Sequence, residues 1–389
     1  MHHLGTSWRV RTPEETLRQV EPYLKGLGID GVIEHRGMGE IRVFETLRRG
    51  SISGYLNLGK GFDSNAAQVS AIMEGVEMSL VEAPIIPPRN VPSEEIDRII
   101  RFRHSETNVI LKDNIHTIQA INALNLTTGA EAYVLEADLF FQQAVEHGSS
   151  AAGLTNGLAS GNTEGEAILH SVYELIERDA IYHSQQALDK CSPFLCPLSF
   201  EDAAITRVYE ALANEGHMLQ LRVLPSIASA YTIEAAFYPS TGKDCFGRFP
   251  GWGCSVDIAI ATRRAIAEAI QVWSIYEALR DGLIPAERRK GGLAITAETY
   301  KATSQAPQMS APLAYWYQNG LSNTPGKIWE HVSTNSSKTE NPDIIFCRLI
   351  RELHDTCLAV VYCARLSPED FPFHVVRCFS PELKCPDWL

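Results

Sequence analysis

Residues 164–184 constrain the fold of this 389-residue chain more than any other stretch. The run "EGEAILHSVYELIERDAIYHS" reads as a helix that is apolar around most of its circumference, through Ala167, Ile168, Leu169, Val172, Leu175, Ile176 and Ala180, so it must be largely buried. Yet Glu166, His170, Glu174 and Glu177 fall along one stripe of it, with Arg178 alongside. On an exposed helix, like charges at this spacing cost about 0.2–0.5 kcal/mol. Buried without a counter-ion they cost several kcal/mol or take up protons.

The pattern occurs twice more. Ser70, Glu74 and Glu77 stand at i, i+4, i+7 in a helix expected over 64–81, among Ala71, Ile72, Met73, Val76 and Leu80. Arg264, Glu268 and Gln271 repeat the spacing in "IAIATRRAIAEAIQVWSIYEAL". Any one stripe alone reads as a solvated acidic face. Three such helices, two behind Gly-rich turns, favour a polar cavity filled by a cation. Oxygen-only ligands point to a hard ion, Mg2+ first. Mg2+ with nearby Arg and Lys implies a polyphosphate.

The turns agree with an anion. "LGKG" sets Lys60 between glycines, although the P-loop pattern is absent. "ASGNT" offers Asn162, Thr163 and backbone N–H groups at a helix start. His170 and Cys254 read as packed side chains, and the nine cysteines, with no C-x-x-C pair, as reduced thiols.

Elsewhere, Thr12 and Glu15 form a capping box ahead of Leu17, Val20 and Leu24, which predicts a helix with Pro13 in its first turn. "GVIEHRGM", "IRVFETLR", "HMLQLRVLP", "YTIEAAFYP", "LAVVYCARL" and "FHVVRCFSP" read as strands, and "IIFCRLIREL" as a helix. "APIIPPRNVPSEE" reads as loop, "FGRFPGWGCSVD" as a Gly-rich turn and "STNSSKTENPD" as a linker, with no internal repeat. Helices and strands interleave, so the class is α/β or α+β. A net charge of -13 argues against a nucleic-acid partner. No run approaches the ~20 apolar residues of a membrane span, and "MHHLGTSWRV" is not a signal peptide, so no membrane association and a cytoplasmic location are expected.

Four stretches together resemble the YcaO family: "GKG" at 59–61, "SAIMEGVE" at 70–77, "NGLASGNTEGEAILHSVYELIERDA" at 156–180 and "RRAIAEAIQ" at 263–271. The resemblance runs from "GTSWRVRTPEETL" to the "FPFHVVRCFSPEL" end. It implies an α+β, YcaO-like fold with mixed sheets and buried helices around a deep ATP cleft. It also implies a single domain over 1–389, made of an N-terminal segment 1–55, an ATP- and Mg2+-binding core 56–280 and a C-terminal segment 281–389. Such enzymes use ATP and Mg2+ to phosphorylate the oxygen of a peptide backbone amide. A nucleophile then adds to that carbon and phosphate leaves.

By motif position, Glu74, Glu77, Glu174 and Glu177 resemble the family's Mg2+ ligands, with Glu166 near the metals or nucleotide and counted among the expected ligands. Ser70, Asn162, Arg178, Arg264 and Glu268 resemble nucleotide contacts; Arg9 and Thr16 match an N-terminal contact pair, and Lys60 and Glu166 join the ATP set. The catalytic set expected is Glu74, Glu77, Glu174, Glu177 and Arg178. Two departures are Ala159 where the family often has Ser, with Ser160 displaced by one, and "GWGCS" where a His-containing version is common.

Azoline-forming members commonly end in Pro-x-Pro-x-Pro, whereas this sequence ends "SPELKCPDWL". The "GTSWRVRTPEETL" start resembles members that work with a TfuA-type partner. Thioamide formation on a ribosomally made peptide or protein is therefore the first expectation. Azoline formation by a cyclodehydratase with a leader-peptide-binding partner is the alternative, and amidine formation a third. An ATP-binding accessory protein for sulfur transfer, or a non-catalytic acidic scaffold, are readings from other classes. The expected partners are the peptide or protein substrate and a TfuA-type or leader-binding protein, with a homodimer allowed for.

Overall fold

A computed structural model describes residues 2–53, 56–92, 95, 98–100, 117–141, 155–186, 194–197, 200–239, 249–284, 328–329 and 341–386. In chain order the first part holds strands β1 (His2–His3) and β2 (Trp8–Arg9), helix α1 (Pro13–Leu24), strands β3 (Ile29–Met38), β4 (Ile41–Arg48) and β5 (Asn57–Gly61), and helix α2 (Ser64–Glu82). There follow β6 (Arg89–Pro92), β7 (Ile99–Ile100), β8 (Thr117–Asn125), β9 (Glu131–Leu135) and α3 (Glu136–Leu139), then β10 (Leu158–Gly161) and α4 (Glu164–Gln186). The remainder is β11 (Phe194–Leu195), α5 (Ala203–Asn214), β12 (His217–Leu224), β13 (Tyr231–Pro239), β14 (Phe249–Ser255), α6 (Ile258–Arg280), β15 (Ile328–Trp329), α7 (Pro342–Cys357), β16 (Tyr362–Arg365) and β17 (His374–Phe379). The class is α+β, as expected.

Three larger sheets carry the fold. One runs β3-β4-β5; a second runs β14-β13-β12-β11-β15; the third runs β10-β17-β16-β8-β9-β7, with β6 added on β8. The N-terminal strand β4, itself paired with β3, pairs with β5 of the expected core, and the C-terminal strands β16 and β17 pair with β8 and β10. The three expected segments therefore share sheets.

The three carboxylate-bearing helices are each clamped between layers. Ile72, Met73 and Val76 of α2 share a core with Ile121, Val134, Val375 and Phe379 of the third sheet. Val172 and Ile176 of α4 lie with Val376 and Cys378 on one side and Leu349 and Leu353 of α7 on the other. Ala265, Ile266 and Ala269 of α6 pack with Val43, Ile233 and Phe237 of the first two sheets. Each buried Val, Ile or Phe contributes about 1.5–3 kcal/mol, so these helices are fixed in rotation as well as position.

Several expectations change. "LGKG", the "ASG" of "ASGNT" and "PGWGCS" are strands, not turns: they form β5, β10 and β14. Their glycines serve close approach. A Cβ on Gly59 would fall under 3.0 Å from the Ala67 carbonyl and Ala71 amide of α2, and one on Gly251 would meet the Ala265 carbonyl and Ala269 amide of α6 the same way. The Pro-rich 83–95 stretch contains the short strand β6, paired with β8. Helix α5, capped by Asp202, was not expected from the sequence. The Thr12–Glu15 capping box is present as expected. Most of the expected linker 333–343 lies outside the described residues.

Candidate active site

Three strand-turn-helix units of the same build pack against one another. Each has a Gly-bearing strand (β5, β10, β14), a two-residue connector (62–63, 162–163, 256–257) and a long helix (α2, α4, α6). The second connector residue caps the helix in each case. Asp63 accepts from Ala66 N at 2.8 Å, Thr163 Oγ1 from Glu166 N at 3.2 Å and Asp257 from Ala259 N at 2.8 Å. Glu74, Glu174 and Glu268 each stand eleven residues after their cap. The residues four before them are Ser70, His170 and Arg264, and those three after are Glu77, Glu177 and Gln271. The structure thus reveals an internal repeat invisible to identity matching. It sets the three stripes as matching layers on three helices.

The stripes face one another. Glu74 lies within electrostatic reach of Lys60, Glu268 and Glu174, and Glu77 within that of Glu74, Glu174 and Arg9. Glu174 and Glu177 both feel Arg178, Glu268 and Arg264. These side chains keep some surface exposure yet are walled by protein. Burial pushes the Glu74 carboxyl up to about 7 and Glu177 to about 7. It pushes Glu77 up to about 8, against the Ser160 hydrogen bond. Burial also raises Glu174, against Arg178. For Glu268 the effect of burial is overcome by Lys60 and Arg178, and its carboxyl is lowered. Burial would lower Arg178, but Glu174, Glu177 and Glu268 override it and hold the guanidinium protonated.

Direct contacts complete the picture. Lys60 Nζ sits 2.8 Å from Glu268 Oε2. Arg178 reaches Glu174 at 3.2 Å and Glu177 at 3.3 Å. Leu58 N donates to Glu74 Oε1 at 3.2 Å. An N-terminal strap closes one side. Thr16 Oγ1 donates to Asn162 Oδ1 at 2.8 Å, Arg9 Nη1 donates to the Ser160 carbonyl at 3.3 Å, and Arg11 Nη1 donates to the Asn162 carbonyl at 3.2 Å.

Glu166 is hydrogen-bonded through both carboxylate oxygens. Its Oε1 accepts from Val10 N, its Oε2 accepts from Asn162 N at 2.8 Å and Asn162 Nδ2 at 3.1 Å, and Arg9 lies 3.8 Å away. With both oxygens engaged, it holds the strap and the Asn162 turn together. Ser70 is half-buried on its helix. Two contributors escaped the sequence reading. Ser160, displaced by one from the position where the family often has Ser, touches Glu77 because strand alternation turns 160, not 159, toward α2. Arg11 also reaches the Pro372 carbonyl at 3.4 Å and so ties the strap to the β16–β17 turn. His170 and Cys254, read as packed, line a small cavity with Trp8, Tyr173, Ser255 and Arg264. Burial pushes the Cys254 thiol up to about 12, which keeps it protonated and unreactive.

A hard cation suits this donor set. The carboxylates are oxygen-only, desolvated and raised, and Gln271 Oε1 is buried without a hydrogen-bond partner among the described residues. No three His, Cys, Asp or Glu side chains among the described residues already stand close enough to share an ion. A cation would therefore have to draw the glutamates away from Arg178 and Leu58 N.

The raised carboxyls carry a pH signature. Their folded pKa values exceed the ordinary carboxylate value, so their stabilising contribution is complete at acid pH and is lost as pH rises through about 7 to about 8. A cation favours the ionised forms. The rise in melting temperature on adding Mg2+ with a non-hydrolysable nucleotide should thus be larger near pH 8.5 than near pH 6, with protons released near neutrality. An equal or larger rise at the acid end would contradict this.

The chain is similar to known proteins at three levels. Residues 58–384 match the family model described as "YcaO cyclodehydratase, ATP- and Mg2+-binding". A protein of Rhizobium leguminosarum bv. trifolii, described as an uncharacterized protein in the tfuA 3' region, is 28% identical over 68% of this chain and 66% of its own length. The chain thus spans just under two thirds of that relative. A structure titled as YcaO from Methanopyrus kandleri bound with AMPPCP and Mg2+ aligns with a TM-score of 0.71 at 21% identity, over 97% of this chain and 92% of the other. A heterocyclase in complex with substrate and cofactor gives 0.74 at 17% identity, over 99% of this chain and 54% of the other. At these identities the two structures establish the shared fold. No helix among the described residues is long and apolar enough to cross a membrane.

Proposed function

Because this chain belongs to the YcaO family, we propose that it activates a peptide backbone amide with ATP and Mg2+, and that thioamide formation is the outcome. The observation that carries the first part is the meeting of Glu74, Glu77, Glu174 and Glu177 in one desolvated cleft with Lys60, Arg178, Arg264 and Arg9 around it. Bound ATP and Mg2+ supply the phosphoryl group that converts the amide oxygen into a leaving group.

The chain's own residues do the rest by position and charge. Glu74, Glu77, Glu174 and Glu177 are the proposed metal ligands. Lys60 and Arg178 favour the ionised form of Glu268, and Arg178 orients the Glu174–Glu177 pair. Asn162, fixed by Thr16 and Glu166, presents the α4 N-terminus to the nucleotide, and Ser70, Arg9, Arg264 and Glu268 line its path. We treat residues 1–389 as one domain, since the three sheets draw strands from all three expected segments.

The relative in the tfuA 3' region favours sulfide as nucleophile and a TfuA-type protein as partner. The cyclodehydratase description of the family and the heterocyclase fold neighbour favour the second reading, an azoline made with a leader-binding partner. Mass spectrometry of the peptide product decides. Exchange of oxygen for sulfur adds about 16 Da, and ring closure removes about 18 Da. A product lighter by one water would overturn the thioamide assignment. Nucleotide turnover unaffected by any peptide would point instead to the accessory-protein reading.

A further inference from the structure

Among the described residues of the cleft, Arg264 stands without an ion pair, unlike Arg178, Lys60 and Arg9. Arg178 is paired with Glu174 and Glu177, Lys60 with Glu268, and Arg9 with Glu166. Among the described residues, Arg264 makes no ion pair within 4.0 Å, although Glu174, Glu177 and Glu268 are all within electrostatic reach. Its hydrogen-bond partner is His170, with Arg264 Nη1 standing 3.4 Å from His170 Nδ1. The pair occupies one layer of the cleft, because His170 and Arg264 hold the same position in two of the three repeated units.

The imidazole is suited to that contact. Burial and the guanidinium groups of Arg9 and Arg264 keep it neutral. A guanidinium can only donate, so Nδ1 is the acceptor and the ring proton is assigned to Nε2. Tyr173, edge-on with ring centroids 6.3 Å apart, steadies the ring from the next turn of α4. A carboxylate at 170 would neutralise Arg264. An apolar residue would leave the guanidinium free to fold onto the nearby glutamates. A neutral acceptor orients the charge without cancelling it.

We propose that His170 is a positioning residue: its Nδ1 holds the Arg264 guanidinium open toward the cleft, so that it meets the phosphates of a nucleotide instead of collapsing onto Glu174 or Glu268. This rests on the nucleotide reading of the same cleft. The role is specific to phosphate and leaves a signature that loose packing does not.

The test uses the full chain carrying His170→Phe, which keeps a ring but no acceptor, and His170→Asn, whose Oδ1 replaces Nδ1. His170→Ala serves as a second apolar variant if phenylalanine lowers the melting temperature. Binding of a non-hydrolysable Mg·ATP analogue and of adenosine is measured by calorimetry. His170→Phe should weaken the analogue about tenfold and adenosine less than about twofold, while His170→Asn stays within about threefold of the parent. Equal losses for analogue and adenosine, no loss in His170→Phe, or His170→Asn as weak as His170→Phe would each overturn the proposal. Absence of analogue binding by the parent protein is a different failure, that of the nucleotide reading itself.

Discussion

Glu174→Gln and Glu74→Gln are each expected to lower Mg2+-dependent ATP turnover by at least ~100-fold, the scale on which removal of one electrostatic element of a phosphoryl-transfer site is felt. The same substitutions should leave the metal-free protein as stable as before, or more stable. Both carboxyls are raised by burial, so ionisation there opposes folding, and a neutral amide of equal size removes that penalty. Glu174→Gln loses one charge partner of Arg178, but Glu177 at 3.3 Å remains. Turnover and melting temperature should therefore move independently, in contrast to what packing defects produce. Phosphate release within about threefold of the parent in a folded Glu174→Gln protein would remove these glutamates from the chemistry.

Gly59→Ala is expected to destabilise the protein by about 3 kcal/mol or more, the upper range for forcing an atom into a packed interior. The added methyl has nowhere to go, because it is opposed by the backbone of α2 at Ala67 and Ala71, which no side-chain rotation can move. Lifting α2 from β5 would also break the Leu58 N to Glu74 bond and shift Lys60 from Glu268, so nucleotide binding should fail together with folding. Gly129→Ala supplies the control. Gly129 has φ +74° but open space around its Cβ position, so the cost there is the backbone conformation alone, about 1–2 kcal/mol. Denaturant midpoints of the two variants measure the difference. If Gly59→Ala proved the milder, α2 would not be seated on β5 as described.

These two expectations separate what the glycines and the carboxylates do. The glycines set the distance between each strand and its helix; the carboxylates exploit that distance. A bulkier strand residue would move Glu74 or Glu268 outward by the width of a methyl group. The cleft would then admit water, the desolvation that raises Glu74, Glu77 and Glu177 would weaken, and so would the drive to take up a cation.

Much of this was written locally in the chain. The capping box at Thr12, the apolar spacing of α2, α4 and α6, and the i, i+4, i+7 stripes depend on residues a few positions apart, and those interactions form wherever the sequence places them. The family resemblance rested on the same stretches. The tertiary structure decided what local spacing could not. Whether "LGKG" and "PGWGCS" are turns or strands depends on pairing with β4 and β13, outside the local window that periodicity reads. That Glu166 clasps the N-terminal strap depends on Val10, 156 residues earlier. That Ser160 rather than Ala159 faces Glu77, and that His170 meets Arg264, follows from the rotation in which each element was locked by its core. Charge and periodicity are properties of the sequence. Which charges share one desolvated space is set by packing, because burial and Coulombic reach depend on distance through space and not along the chain.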